Sequence, residues 1–135
     1  MTAFFDTNVL VYTITDDARG DVARSRLSDG GVISAQVLNE FVRVARKKLR
    51  LDWAIIEAAL AELRALVNDV RPVALSTHEF AVSLARRDGF DIYDALILAA
   101  AIEAGCETLY SEDFQHGRRF GDCTIVNPFL SGSGG

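Results

Sequence analysis

Short apolar runs alternate along this chain with longer segments in which apolar residues recur at helical spacing. The runs at 2–6, 32–34, 107–111 and 124–126 have the length and composition of buried strands. Between them, apolar residues return every three or four positions, as on one face of a helix. Strands that alternate with helices predict a single α/β domain, a three-layer α/β/α sandwich with a short, mainly parallel central sheet.

Residues that favour helix ends divide the intervening segments. Ser34, Asp52 and Asp91 are the expected N-caps of three helices, and Gly105 is the expected stop of the last one. Residues 76–79 read as a capping box. A short strand or extended link is expected at 71–75. The predicted helices cover 9–12, from Asp16-Asp17 to about 28, from 35 to about 49, 53–67, from 76 to about 87, and 92–104.

Length and composition indicate one globular domain at residues 1–130, followed by a flexible Gly/Ser tail at 131–135. No apolar stretch approaches the roughly 18 residues of a transmembrane helix, and the first residues lack the basic region of a secretory signal. Cys106 and Cys123 have no metal-binding spacing, so free thiols in a reducing cytoplasm are expected.

Four acidic residues, far apart in sequence, adjoin hydrophobic segments: Asp6, Glu40, Asp94 and Asp113. Asp6 and Asp113 follow two predicted strands, whose carboxyl ends would meet at one edge of a parallel sheet. At about 5 Å and an effective dielectric near 20, each pair would repel by roughly 3 kcal/mol. A bound Mg²⁺ or Mn²⁺ would resolve that repulsion, because hard oxygen ligands suit hard cations. Phosphate chemistry is the leading interpretation.

Two of these acids have ordinary structural explanations of unequal strength. Asp6 could cap the following helix, but Asn8 could do so equally well, which would leave Asp6 for another task. Asp94 suits the first turn of a helix through the helix dipole. It also shares a face with the apolar Ile97 and Leu98, where a carboxylate needs a partner or a metal. Asp94 is therefore the strongest candidate.

The other two acids depend more on context. Glu40 projects nearly opposite the apolar stripe of its helix, so that helix alone favours a solvent-facing acid paired with Arg43. The stripe consists of Leu38, Phe41, Val42, Ala45 and Leu49, and the face of Glu40 also carries Gln36, Arg43 and Lys47. Glu112 and Asp113 could form a solvated turn; Glu112 is the better candidate for that role and Asp113 for a ligand.

The net charge of −5 and the pI near 4.9 argue against a simple basic nucleic-acid binder. Two divalent ions, however, would add four positive charges and bring −5 to −1. Five of the fourteen Lys and Arg residues also fall within positions 43–50. Arg43, Lys47 and Arg50 continue the row of Glu40 along its helix and suit the phosphates of RNA, so acidity does not exclude an RNA substrate.

Four segments in order resemble the PIN domain, a family of metal-dependent ribonucleases, and within it the VapC toxins of bacterial toxin–antitoxin pairs. The likeness covers nearly the whole chain and ends with an Ile-Val-Asn-Pro-Phe segment that is common in such toxins. The segments that carry it are Phe4–Leu10 with the first acid, Ser34–Phe41 with the helical Glu, Asp94–Ala101, and Tyr110–Phe114, where the acid stands two positions after Ser111.

The resemblance implies a chemistry and a set of partners. Asp6, Asp94 and Asp113 would hold one or two Mg²⁺ or Mn²⁺ ions, with Glu40 binding directly or through water. Thr7 and Ser111 would orient Asp6 or bound water, and His116 is a further candidate for contact with the substrate. The substrate would be RNA, with transfer or ribosomal RNA as the expected target. The expected partners are a cognate VapB-type antitoxin and a second copy of the chain, without a membrane.

Other functions remain open at this stage. A haloacid-dehalogenase phosphatase needs a second Asp two residues after the first, and Asn8 stands there. A receiver domain needs a Lys after a late strand, whereas the last Lys is Lys48. The remaining alternatives are a PIN-fold module that binds RNA or protein without turnover and a housekeeping RNA-processing nuclease.

Overall fold

The computed structural model describes residues 2–130, which form six strands and six helices. The strands are β1 (Ala3–Phe5), β2 (Val32–Ser34), β3 (Asp69–Arg71), β4 (Thr108–Tyr110), β5 (Arg119–Phe120) and β6 (Cys123–Val126). The helices are α1 (Thr7–Tyr12), α2 (Ala18–Ser28), α3 (Ala35–Lys47), α4 (Trp53–Leu66), α5 (Leu75–Asp88) and α6 (Ile92–Glu103).

The strands form one sheet in the order β3-β2-β1-β4-β6-β5. All neighbours are parallel except the β5–β6 hairpin at one edge. Phe5 of β1 is in register with Tyr110 of β4. β2 lies on one side of β1 and β4 lies on the other, so the strand order reverses beside β1. In parallel sheets, ligands bind beyond the carboxyl ends of the strands at such a reversal.

Successive residues of the central strands are buried without alternation. Ala3, Phe4 and Phe5 are at most 8% exposed, and the three residues of β4 are buried as well. Because neighbouring side chains of a strand point to opposite faces, both faces of the sheet must be covered. The predicted α/β sandwich with a short, mainly parallel central sheet is confirmed.

α6 is the most deeply buried helix. Residues 95–101 are all buried, which leaves only its two ends in contact with solvent. A helix that is apolar on every side belongs inside a core. Its N-cap is Asp91, whose side chain accepts a hydrogen bond from the Tyr93 N–H (2.9 Å). After it, Gly105 adopts a φ of 72°, a left-handed conformation that favours glycine.

Several predicted boundaries are confirmed and others are wrong. Ser34 caps α3 through a hydrogen bond from the Val37 N–H (3.2 Å), as expected. Asp52 precedes α4 without a side-chain hydrogen bond to it. Leu49, assigned to the apolar stripe of α3, lies beyond the end of that helix and is 40% exposed, whereas Val37 is buried in its place.

The segment between α4 and α5 differs most from expectation. The strand lies at Asp69–Arg71 rather than at 71–75, because Pro72 has no N–H to donate to a ladder. α5 begins at Leu75 with Ala74 as its N-cap, so the predicted capping box at 76–79 is wrong. The Thr77 hydroxyl accepts a hydrogen bond from the Ala74 N–H (3.2 Å) and fixes the earlier start.

The remaining expectations concern the cysteines, the tail and the membrane. Cys106 and Cys123 are buried free thiols, as predicted, and burial raises the pKa of Cys106 to about 11. The tail at 131–135 lies outside the described residues. Among residues 2–130, no helix combines the length and the apolar character needed to cross a membrane.

Candidate active site

Asp6 stands directly after β1 and is only 2% exposed. One of its oxygens accepts a hydrogen bond from the Thr7 N–H (2.6 Å) and the other from the Ser111 hydroxyl (2.6 Å). Asp6 is itself the N-cap of α1, so of the two residues considered for capping, Asp6 and not Asn8 takes that role. The carboxylate both begins the helix and faces the end of β4.

Asp113 is held beside Asp6 by contacts between distant parts of the chain. Asn8, inside α1, donates its side-chain amide to an Asp113 oxygen (2.8 Å). The Asp113 N–H donates to the Ser111 oxygen (3.1 Å), so one buried hydroxyl serves both acids. Asp113 itself lies at the exposed rim.

Glu40 reaches the same region from α3. Its carboxylate accepts a hydrogen bond from the Thr7 hydroxyl (3.2 Å), and the residue is half-buried. The helix-based expectation of a solvent-facing acid paired with Arg43 is therefore wrong. α3 packs against α1, and this packing covers the face that looked solvent-exposed in sequence.

Asp94 lies in the first turn of α6 and is half-buried. Ile97 and Leu98, which share its face, are at most 1% exposed, so Asp94 points to the packed side as predicted. Asp94 lies where the buried helix α6 reaches the carboxyl edge of the sheet.

These four acids line one pocket of about 340 Å³. The pocket lies between the carboxyl ends of β1 and β4 and the helices α1, α3 and α6. Its lining residues are Asp6, Thr7, Asn8, Glu40, Arg43, Val44, Lys47, Lys48, Asp94 and Asp113. Residues separated by more than a hundred positions thus meet in one place.

Burial and mutual repulsion act on all four acids in the same direction. The pKa of Asp6 is raised to about 7: burial is the largest cause, the negative charges of Asp113 and Asp94 add to it, and the hydrogen bonds from Ser111 and Thr7 oppose it. Burial also raises the pKa of Glu40, Asp94 and Asp113, and in each case a neighbouring acid adds to the effect. Negative charge on these acids is therefore energetically unfavourable in the pocket.

The acids share this pocket without forming a closed set of ligands. Among residues 2–130, no three His, Cys, Asp or Glu side chains are arranged as they would be around a metal ion. Asp6, Glu40 and Asp113 each point to a hydrogen-bond donor of the protein. Their donor chemistry fits Mg²⁺ or Mn²⁺, because all the candidate ligands are carboxylate oxygens. Small rotations of the side chains at the rim would be needed to bring them to one ion.

Cations line the same pocket. Arg43 and Lys47 line it as the sequence suggested, and they are joined by Lys48, which belongs to the basic cluster at 43–50 but was not among the residues selected for RNA contact. Lys48 also lowers the pKa of Asp113, which indicates its proximity. Arg50 does not line this pocket; it lies beyond α3 with a φ of 54°.

His116 also lies outside the lining of the acidic pocket. Its Nδ1 accepts a hydrogen bond from the Asn127 N–H (3.0 Å), so the ring fastens the loop after β4 to the segment after β6. The structure gives His116 a structural contact and does not bring it to the acids.

Glu112 is part of a polar cluster, so its interpretation as a solvated turn is wrong. Its carboxylate accepts hydrogen bonds from the Tyr12 hydroxyl (2.8 Å) and from Arg19 (2.9 Å). The Arg19 guanidinium also lies over the rings of Tyr12 and Phe129. This cluster ties the loop that carries Asp113 to α1 and α2.

Comparisons with known proteins agree with the fold. The PIN domain family model matches residues 3–119. VapC20 of Mycobacterium tuberculosis, a sarcin-ricin loop cleaving toxin, is 24% identical with a TM-score of 0.68, over 83% of this chain and 90% of that one. A toxin–antitoxin complex from Klebsiella pneumoniae is 22% identical with a TM-score of 0.71, over 95% and 98%. VapBC2 from Rickettsia felis is 19% identical with a TM-score of 0.66, over 93% and 97%. No curated protein matches the sequence.

Proposed function

Because this chain belongs to the PIN domain family, we propose that it is a metal-dependent endoribonuclease of the VapC toxin type. It would hydrolyse phosphodiester bonds of RNA, with transfer or ribosomal RNA as the expected target. One observation carries the proposal: four carboxylates from four separate segments line a single pocket together with three cations. A pocket with both charges suits a metal ion and a phosphate together.

Asp6, Asp94 and Asp113 are the proposed ligands of one or two Mg²⁺ or Mn²⁺ ions, with Glu40 binding directly or through water. Support comes from the donor set and from the raised pKa values, since a cation would stabilise the charged carboxylates that burial and repulsion disfavour. When bound, such an ion would lower the pKa of water and offset charge on the phosphate.

The polar neighbours of these acids have positioning roles in this proposal. Ser111 fixes the direction of Asp6 and Thr7 that of Glu40, while the amide of Asn8 holds Asp113. Glu40 is the carboxylate proposed to take the proton from the attacking water. Its raised pKa brings it closer to neutral pH, where an acceptor works best.

The cations of α3 would bind the phosphates of RNA. Arg43, Lys47 and Lys48 lie on the pocket wall, so each can face a phosphate placed near the acids. The formal net charge of −5 would otherwise repel RNA. Local positive charge at the end of α3 therefore matters more to this proposal than the overall charge.

A VapB-type antitoxin and a second copy of the chain are the proposed partners, and the cytoplasm is the proposed place of action. Two of the structures with this fold are, by their titles, a VapBC2 assembly on promoter DNA and a toxin–antitoxin complex. Similarity covers at least 93% of this chain in both. We extend their partner class to this chain as a proposal.

Substitution of Asp94 by Asn tests the activity. The parent should cleave RNA with Mg²⁺ or Mn²⁺ and not with EDTA. Asp94→Asn should lower the rate of cleavage at least about 100-fold, since substitution even of a residue that supports a metal ligand lowers activity about 10–100-fold. Asp122→Asn is the matched control, because Asp122 is fully exposed and far from the pocket lining. Cleavage that survives EDTA, or that Asp94→Asn leaves unchanged, would rule out this site.

A further inference from the structure

A second, smaller pocket shares a wall with the acidic one. It has a volume of about 150 Å³ and is lined by Gln36, Asn39, Glu40, Arg43 and Tyr93. Glu40 and Arg43 line both pockets. Whatever occupies the smaller pocket would therefore lie next to the occupant of the acidic pocket, separated by two side chains of α3.

The smaller pocket has no acid of its own besides Glu40. Gln36, Glu40 and Arg43 lie four and seven positions apart on α3, which places them in one row on one face of the helix. Asn39 lies at the side of that row. Along α3, the side chains of the smaller pocket thus change from amides near the start of the helix to an acid and a cation beside the larger pocket.

Tyr93 forms the opposite side of the smaller pocket. It lies in the first turn of α6, immediately before Asp94, and 53% of it is exposed. An exposed aromatic ring costs free energy unless it has a partner. Among residues 2–130, Trp53 is also an exposed aromatic residue, but it does not adjoin a proposed ligand of the acidic pocket as Tyr93 does.

Gln36, Asn39 and Tyr93 bring uncharged polar groups to the smaller pocket. Among residues 2–130, no hydrogen bond engages the side-chain amides of Gln36 and Asn39 or the Tyr93 hydroxyl. Each amide offers both a donor and an acceptor. Such groups read the edges of nucleobases, and aromatic rings stack on their faces.

We propose that this smaller pocket binds an unpaired nucleobase of RNA next to the bond that is cut. Tyr93 stacks on the base, Gln36 and Asn39 read its edge, and Arg43 contacts the phosphate that joins this nucleotide to the acidic pocket. The inference rests on the proposed ribonuclease function and deepens it, because it makes the protein selective for one base at a fixed position beside the cut.

Cleavage of a pool of short RNAs with randomised sequence tests the inference in the presence of Mn²⁺. Sequencing of the product ends should show a preferred base at one position for the parent. Tyr93→Ala should lower kcat/KM by about tenfold, within the range known for the loss of one stacked base, whereas Tyr93→Phe should stay within about twofold. Gln36→Ala and Asn39→Ala should weaken the base preference while leaving the metal dependence unchanged.

Trp53→Ala is the matched control, because Trp53 is also 53% exposed but lies on α4, outside both pockets. It should keep the parent's rate and base preference. If Tyr93→Ala behaves like Trp53→Ala, and the amide variants keep the base preference, the base-binding pocket is refuted while the nuclease stands.

A binding measurement separates this result from a failure of the nuclease proposal. Fluorescence anisotropy with labelled hexaribonucleotides of A, C, G or U can be measured in the Asp94→Asn background, so it requires no turnover. There, Tyr93→Ala should weaken binding of the preferred base by about tenfold, and Tyr93→Phe should not. Equal affinities for all four probes, unaffected by Tyr93→Ala, would overturn the base-binding pocket even if the parent cleaves no RNA.

Discussion

Asp6 is the residue on which burial and hydrogen bonding compete most strongly. It accepts two hydrogen bonds of 2.6 Å, which favour the charged form, yet its pKa rises to about 7. Loss of hydration in the buried position outweighs both bonds, and the nearby Asp113 and Asp94 add to it. In the absence of a cation, the folded protein therefore holds a proton that the unfolded chain releases.

This competition predicts a pH dependence of stability in EDTA. The folded pKa of Asp6 lies above its value of 3.8 in the unfolded chain, so its stabilising contribution is complete below about 3.8 and is lost as pH rises through about 7. At about 1.4 kcal/mol per pKa unit, the loss amounts to as much as about 4 kcal/mol. Urea unfolding at pH 5 and pH 8 should show the lower free energy of unfolding at pH 8.

Two variants identify the source of this pH dependence. Asp6→Asn has no charge to bury, so most of the difference between pH 5 and pH 8 should disappear. Asp122→Asn, an exposed substitution, should retain it. A parent protein whose free energy of unfolding is equal at the two pH values would contradict the assignment.

At the residue scale, sequence reasoning identified the acids, and the family resemblance added Thr7 and Ser111, but neither indicated the role of Asn8. Asp6 and Asp113 could be identified because each follows an apolar strand. The contact of Asn8 with Asp113 spans 105 positions and leaves no local pattern. The expected position of Glu40 in solvent failed for a similar reason, since the periodicity of one helix does not reveal which helix packs on its polar side.

α3 is the element that carries the largest share of the proposed site. It supplies an acid, two amides and Arg43 along one face, and Lys47 and Lys48 at its end. Cations in the last turn of a helix are also favoured by the helix dipole. The same residues therefore stabilise the end of the helix and would attract phosphate.

Substitution of these lysines should change how RNA binding depends on salt. Each phosphate contact with single-stranded RNA contributes about 0.7 to the slope of log affinity against log salt concentration. Lys47→Ala and Lys48→Ala should each reduce the slope by about that amount in the Asp94→Asn background. Arg50→Ala is the comparison, because Arg50 lies outside the pocket and should change the slope less. An equal reduction in all three variants would show that RNA contacts extend past the pocket wall.

The reliability of the predicted elements followed the strength of their local signals. β1, β2 and β4 could be predicted because each contains a short apolar run, and α6 because a cap and a glycine delimit it. The predicted position of β3 was wrong because Val73 and Leu75, which are apolar residues, are exposed in the structure. β5 has two residues, too few to give a period, and its pairing with β6 depends on the turn between them.

The whole molecule brings the site together through the order of its strands. β1 and β4 are separated by a hundred residues but lie side by side, so Asp6 and the loop that carries Asp113 leave the sheet at adjacent positions. Sequence could predict this convergence because parallel strands end at a common edge. The sequence also placed Arg43 and Lys47 on the face of Glu40, but it did not single out Lys48, which lines the pocket with them.

Growth of a bacterial host tests the proposed toxin and its partner. Induced expression of the chain alone should stop growth, and co-expression of a small DNA-binding protein encoded immediately upstream should restore it. Expression of Asp94→Asn should permit growth without the second protein, because the arrest depends on RNA cleavage. An arrest of the same extent with Asp94→Asn would separate toxicity from the nuclease.

The link between α4 and β3 divides the proposed ligands evenly: Asp6 and Glu40 precede it, and Asp94 and Asp113 follow it. Neither half of the chain therefore carries the complete set of proposed ligands. The backbone pairing of β1 with β4 crosses this division, so two separately produced fragments would have to rebuild the centre of the sheet before any RNA was cut. If each fragment were fused to a different protein, RNA cleavage would report that those two proteins had come together.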